Sequence, residues 1–252
     1  MRRAPTITPL LTGISRYDKS LSTRGRGQGV VIAAPIIAWL IETADGRLLY
    51  DVGCDYAKIC DPLRCAHFYG ANPFGAPEMQ AADTVPAQLG RYGLGPLDID
   101  CVVLGHGHFD HAGGLADFPH AEIRIQAAEL AAARAGGEAY FTDELAGAYR
   151  WRCLDGDAQI CPGVVALATP GHTAGHMSLL VECDRQVAII AGDAADLQEN
   201  LDDEVAPGLC WQEQTDLAVA SIRRLKREAQ ILRGEVWPNH DYAWWQRWLA
   251  RS

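Results

Sequence analysis

Three histidines and an aspartate fall within six residues of this 252-residue chain: His106-Gly107-His108-Phe109-Asp110-His111. Each of the four can bind a metal ion. They follow the apolar run 101–104, which reads as a short buried strand, and they precede Ala112-Gly113-Gly114. Where a strand ends the backbone is still extended, so His106 and His108, two residues apart, project to one side. The chain must then turn, which carries Asp110 and His111 toward a second position nearby. Imidazole nitrogen with carboxylate oxygen suits zinc and its first-row neighbours. The spacing suits two ions better than one.

A lone histidine is usually a solvated or packed residue, and a histidine-rich surface turn is the ordinary alternative. The rest of the chain argues against it. His172 and His176 stand in Gly171-His172-Thr173-Ala174-Gly175-His176, after the apolar segment Val164–Ala168. Asp193 closes the apolar run 187–191, and His240 follows Val236-Trp237. Each time a histidine or aspartate lands where a strand stops and a loop begins, which is where layered α/β proteins build their sites.

The elements that must carry these residues are partly legible. Residues 30–41 are apolar and β-branched with Pro35 inside, which predicts one strand leading into another. Residues 47–53 predict the next strand and its turn, with Asp51 holding loops beneath the metals or bonding a ligand from behind. Glu122-Ile123-Arg124-Ile125 alternates like a strand, and Met177–Glu182 and 186–191 predict a strand pair joined by a tight turn at Cys183-Asp184-Arg185. Residues 78–92 predict an imperfect helix broken near Pro86. Thr215–Leu232 carries apolar residues near helical spacing, with Asp216 early and basic residues late, as the helix dipole prefers. Trp244, Trp245 and Trp248 predict packing on a last helix.

Two stretches stand apart. Residues 54–77 show no helix or strand period and are rich in Cys, Pro, Gly and aromatics. A loop this long is a lid or binding loop, and its aromatics Phe68 and Tyr69 predict a substrate-pocket wall or a homodimer contact. Residues 127–155 read as a helical insertion, alanine-rich over Ala127–Ala135, with its aromatics leaning over the site. The glycine-rich stretch 24–29 would need a helix directly after it to cradle phosphate. The residues after Gly29 read as strand instead, so the stretch predicts a loop at the site's edge or surface.

The chain is 48% hydrophobic and 21% charged, long enough for a sizeable core, and reads as a single domain over residues 1–252. A net charge of −10 with no long basic run argues against nucleic acid as substrate. Eight cysteines show no metal-finger spacing and no C-x-x-C pair, which predicts a reducing cytoplasm, with a Cys60–Cys65 pairing left open. Arg2 and Arg3 precede no signal-peptide core, and no run reaches membrane-spanning length.

The texts HGHFDHAGG, TPGHTAGH, AGDA and NHD resemble the metallo-β-lactamase-fold hydrolase superfamily, from about Pro35 to near the C-terminus. The chain is most similar to its N-acyl-homoserine lactonase-like group, on GHTAGHMSLLVE, Gln198-Glu199-Asn200 and the text 221–226. The resemblance implies an αββα sandwich of two mixed sheets flanked by helices. It implies one divalent ion on His106, His108 and His172, a second on Asp110, His111 and His240, and Asp193 bridging them. Zinc is the first expectation, with manganese, iron or cobalt as alternatives. A water shared by two such ions has its pKa lowered toward neutrality and attacks an ester or lactone carbonyl. Asp110 would then carry the proton to the leaving alkoxide. His176 is expected to be structural, and His67 and His120 ordinary.

One departure stands out. The lactonase group carries a tyrosine three residues after the bridging aspartate, and here Asp196 occupies that place. An anionic carboxylate cannot donate a hydrogen bond and repels an oxyanion. Either Tyr17 or Tyr69 donates instead, or Asp196 points away, or the substrate is another ester. The alternatives are a hydrolase of a different ester or amide, an oxidoreductase like the mononuclear-iron persulfide dioxygenases, and a binding protein that keeps the motif.

Overall fold

The computed structural model describes residues 3–137 and 139–250; Arg2 of the basic pair lies outside them. Six strands form one sheet in sequence order: β1 (Thr6–Asp18), β2 (Val31–Thr43), β3 (Gly46–Tyr50), β4 (Cys101–Val103), β5 (Glu122–Gln126) and β6 (Arg150–Leu154). The first three pair antiparallel and the rest run parallel. The second sheet joins β7 (Ala158–Cys161), β8 (Val164–Ala168), β9 (Met177–Glu182), β10 (Val187–Ile190) and β11 (Glu235–Trp237) in the order β11-β10-β9-β8-β7. Only β10 and β11 are parallel there.

Strand alternation decides how the sheets stack. Trp39, Ile41, Tyr50 and Val103 point inward and meet Val164, Leu179, Val181, Ala188 and Ile190 of the second sheet. Their neighbours Leu40, Leu49 and Val102 point outward. They are covered by Leu89 of α3 (Val85–Gly90) and Leu130 of α5 (Ala127–Ala135). The outer face of the second sheet, Leu180 and Ile189, is covered by Ile222 and Leu225 of α7 (Thr215–Leu232). Each such aliphatic side chain contributes about 1.5–3 kcal/mol when fully buried. The result is the helix–sheet–sheet–helix sandwich that the resemblance implies.

Pro35 does not break its strand. Its half of β2 pairs only with β1, opposite Ile14, while β3 joins β2 from Trp39 onward. The missing N–H therefore costs no ladder bond on that open side, and 31–43 is one strand, not two.

Residues 54–77 contain two short helices, α1 (Tyr56–Cys60) and α2 (Pro62–Tyr69). Asp55 Oδ1 accepts the Ala57 N–H at 2.8 Å, and Asp61 Oδ1 accepts the Leu63 and Arg64 N–H groups at 2.9 and 3.0 Å. With Pro62 at the first position of α2, these are ordinary helix starts. Elements of five and eight residues are too short to show a period. The stretch 127–155 also differs from the helical expectation: helix ends at Ala135, one 3₁₀ turn covers Thr142–Leu145, and Arg150–Leu154 is the edge strand β6. All eight cysteines are free, Cys60 and Cys65 included.

Candidate metal centre

Strand ends place every ligand the sequence proposes. β4 delivers His106 and His108, and the single helical turn α4 (Phe109–Ala112) delivers Asp110 and His111. That turn sits tight against a neighbouring loop. A Cβ on Gly113 would lie 2.3 Å from the Asp55 nitrogen, and one on Gly114 2.3 Å from the Val52 carbonyl oxygen. Only glycine fits at either place. The loop after β8 carries His172, the turn after β10 carries Asp193, and the loop after β11 carries His240, just before α8 (Tyr242–Leu249).

The seven side chains form two sets. His106 Nε2 lies 3.0 Å from His108 Nδ1, and His172 Nε2 lies 3.1 Å from the same atom. Asp193 Oδ2 faces this set, 3.3 Å from His172 Nε2 and 3.6 Å from His106 Nε2. Its other oxygen, Oδ1, faces the second set, 3.3 Å from His111 Nε2 and 3.2 Å from His240 Nε2. Asp110 Oδ2 completes that set at 3.6 and 3.7 Å from the same two nitrogens. Asp193 thus turns one oxygen to each set.

These distances fit metal ions. Four donors at about 2.0–2.1 Å from a tetrahedral ion stand about 3.3 Å from one another. Three imidazole nitrogens converging on one point cannot all satisfy each other by hydrogen bonding. Burial holds His106, His108 and His172 below their usual pKa, which keeps lone pairs available. In the second set burial is outweighed by carboxylates: Asp193 and Asp110 raise His111, and Asp193 leads in pushing His240 up to about 10. Such a surplus of negative charge is what a divalent cation neutralises.

The rings are aimed from behind. His111 Nδ1 lies 2.7 Å from Asp51 Oδ2, His240 Nδ1 donates to the Pro35 carbonyl at 2.9 Å, and His172 Nδ1 to the Leu209 carbonyl at 3.2 Å. With Nδ1 protonated, each Nε2 presents its lone pair to the site. His176 is not among the converging donors. Its Nε2 accepts the Asp193 N–H at 2.9 Å, its Nδ1 lies 2.8 Å from Thr169 Oγ1, and burial lowers it to about 3. Asn239 Nδ2 donates to Asp193 Oδ1 at 2.9 Å.

Motif spacing does not find Glu129, in the first turn of α5. It is fully buried, and its Oε1 and Oε2 accept the Gly107 and Gly175 N–H groups, both at 2.9 Å. Oε1 also accepts from the Tyr140 hydroxyl at 3.0 Å. One carboxylate ties the His106–His108 loop to the His172–His176 loop. The signal in the sequence is faint: an acid inside an alanine run.

Besides the ligands, the cavity at the site is lined by Tyr17, Leu21, Phe74, Phe109, Ala139 and Asp196. Phe68 and Tyr69 do not reach it. Tyr69 packs edge-on against Phe109, and Phe68 packs on Phe141, which stacks on Phe109. Phe109 stands between them and the ligands, so the wall expected of Phe68 and Tyr69 is its supporting layer. Asp196 does line the cavity, buried, and burial pushes its carboxyl well above its usual range. The glycine-rich loop lies at the surface and outside the cavity lining, with Arg24 paired to Glu213, and Arg26 to Asp203 and Glu199.

A sequence profile of the family described as the metallo-beta-lactamase superfamily matches residues 35–236. The chain belongs to the metallo-β-lactamase superfamily. Within it, the chain is 33% identical over 232 residues to an N-acyl homoserine lactonase of Bacillus cereus, covering 91% of this chain and 90% of that one. It is 31% identical over the same length to N-acyl homoserine lactonase AiiA of Bacillus thuringiensis subsp. kurstaki. A solved point variant of B. thuringiensis AiiA, with N-decanoyl-L-homoserine at its active site, superposes with a TM-score of 0.88 at 28% identity, covering 97% and 96% of the two chains. An N-acyl homoserine lactone hydrolase with its product N-hexanoyl-L-homoserine at the catalytic metal centre gives 0.86 at 28% identity, covering 98% and 96%. This superfamily member therefore shares its architecture with a lactone hydrolase whose product sits at a catalytic metal centre.

Proposed function

We propose that this protein is a dinuclear metal-dependent lactonase that opens N-acyl-homoserine lactones or a related carboxylic ester. The carrying observation is Asp193, with one carboxylate oxygen toward each of two complete ligand sets. These residues would hold two divalent ions, zinc first, which when bound would supply a water of near-neutral pKa and a Lewis acid for the carbonyl. The second set also favours this reading over a single-iron oxidoreductase, which would leave Asp110, His111 and His240 unused.

The chain's own part is positioning and proton movement. Water adds its oxygen to the carbonyl carbon, the ring C–O bond breaks, and the water's proton must reach the leaving alkoxide. Asp110 suits that transfer: its side chain is the most exposed of the ligands at 16%, and it lines the cavity. Phe74 and Phe109 offer an apolar wall for the acyl substituent. A reducing cytoplasm fits the eight free cysteines. No described helix is long and apolar enough to cross a membrane.

The test pairs elemental analysis with a pH-stat assay on a panel of lactones. About two metals per chain with acid release is the expected result. His108→Ala should lose metal and activity while the circular-dichroism spectrum stays folded. One iron per chain with oxygen consumption would overturn the reading.

A further inference from the structure

Only two of the cavity-lining residues outside the ligand sets carry polar side-chain atoms, Tyr17 and Asp196. A carboxyl group donates a hydrogen bond only while it is protonated; a phenol donates at any pH near neutrality. Other phenols near the site are committed elsewhere: Tyr140 to Glu129 Oε1 at 3.0 Å and Tyr50 to the Met177 carbonyl at 2.8 Å. Tyr69 lies behind Phe109.

Tyr17, at the end of β1, is held on two sides. Its ring packs edge-on against Phe74, centroids 4.9 Å apart, and its hydroxyl lies 2.9 Å from Ser22 Oγ. Ser22 is fully buried, as is the Asp196 carboxyl group that lines the same cavity as Tyr17. Either hydroxyl of the Tyr17–Ser22 pair can donate, and in one arrangement the Ser22 oxygen accepts from Tyr17. The phenol's resting partner is then a neutral hydroxyl, a weaker acceptor than an oxyanion. Burial, and next Asp196, raise Tyr17's ionisation far above neutrality, so the proton is always there to donate.

We propose that Tyr17 is a catalytic hydrogen-bond donor: its phenol O–H turns from Ser22 to the reacting carbonyl oxygen as negative charge develops on it. This rests on the lactonase reading above.

The test is Tyr17→Phe in the metal-loaded enzyme. Loss of one such donor lowers kcat by about 10²-fold, with KM and metal content close to wild type. The ratio of wild-type to variant kcat should stay constant over about pH 6–9, since a phenol does not titrate there. An unchanged kcat, or a rise in KM alone, overturns the proposal. Ser22→Ala keeps the phenol and should retain at least ~30% of kcat; a loss equal to that of Tyr17→Phe would mark a packing role and overturn it too. Calorimetric binding of the ring-opened N-acyl-homoserine separates this inference from the lactonase reading. Wild type that binds the acid about tenfold more tightly than Tyr17→Phe, yet hydrolyses no lactone, sinks lactonase activity and keeps Tyr17 as a ligand donor. Equal binding by both proteins sinks Tyr17.

Discussion

Asp51 Oδ2 lies 2.7 Å from His111 Nδ1, while its Oδ1 accepts the Gly105 N–H at 2.7 Å. One buried carboxylate thus aims a second-set histidine and fixes the start of the loop that carries His106 and His108. The Asp51 backbone is left-handed, with φ at 59°, a region that Asp and Asn enter more readily than other non-glycine residues.

Asp51→Asn keeps the shape and the backbone preference and removes the charge behind His111. Metal affinity at the second set should fall about 10–100-fold, with activity falling alongside. Chelator competition measures this directly. Metal affinity equal to wild type would show that the carboxylate contributes nothing to His111.

Glu129→Gln tests the link between the two loops. An amide offers one acceptor oxygen and turns an NH₂ group toward a backbone N–H. One buried donor is then left unpaired, at a cost of about 1–3 kcal/mol. The melting temperature should drop, and first-set metal should leave at lower chelator concentration than in wild type. Stability lost with metal affinity intact would confine Glu129 to folding.

Glu144 gives a pH dependence away from the metals. Lys58 Nζ, fully buried, lies 2.8 Å from Glu144 Oε1 and 2.9 Å from Asp143 Oδ1. Burial, against the opposing pull of Lys58 and with a push from Asp143 and Asp55, raises Glu144 to about 8. Between its ordinary 4.5 and about 8 the folded chain holds a proton that the unfolded chain has lost. The resulting stability is full below the lower value and disappears as pH climbs through the upper one. Wild type should therefore lose melting temperature over that range, and Glu144→Gln should flatten the curve. Parallel curves for the two proteins would refute this.

The candidate ligands are legible because their chemistry is local. His106, His108, Asp110 and His111 share one strand end and one turn, and His172, Asp193 and His240 each close an apolar run. The long strands and α7 are legible because burial of one or both faces imposes a period or an apolar run on the text. Helices α1 and α2 are not, although Asp55, Asp61 and Pro62 carry their start signals, because one or two turns bury too little to pattern the sequence. Strand β6 does not read as a strand because it lies at a sheet edge with Arg150, Arg152 and Cys153 exposed, so it lacks an apolar run.

What the sequence determined by itself is a candidate donor set placed at strand ends and a mixed α/β class; the division of the donors into two groups and the sandwich came with the family resemblance. Only the tertiary structure decided what aims the donors and what faces the substrate. Asp51 meets His111 across 60 residues, and Glu129 joins loops 22 residues before it and 46 after it. Phe109, not Phe68 or Tyr69, meets the cavity because it comes directly after His108 on the rigid turn, while the other two arrive from α2 one layer behind. Tyr17 reaches the cavity from the far end of β1, a place no motif marks. Such contacts arise from the packing of two sheets, and pattern along a chain records burial, not the neighbour across the gap.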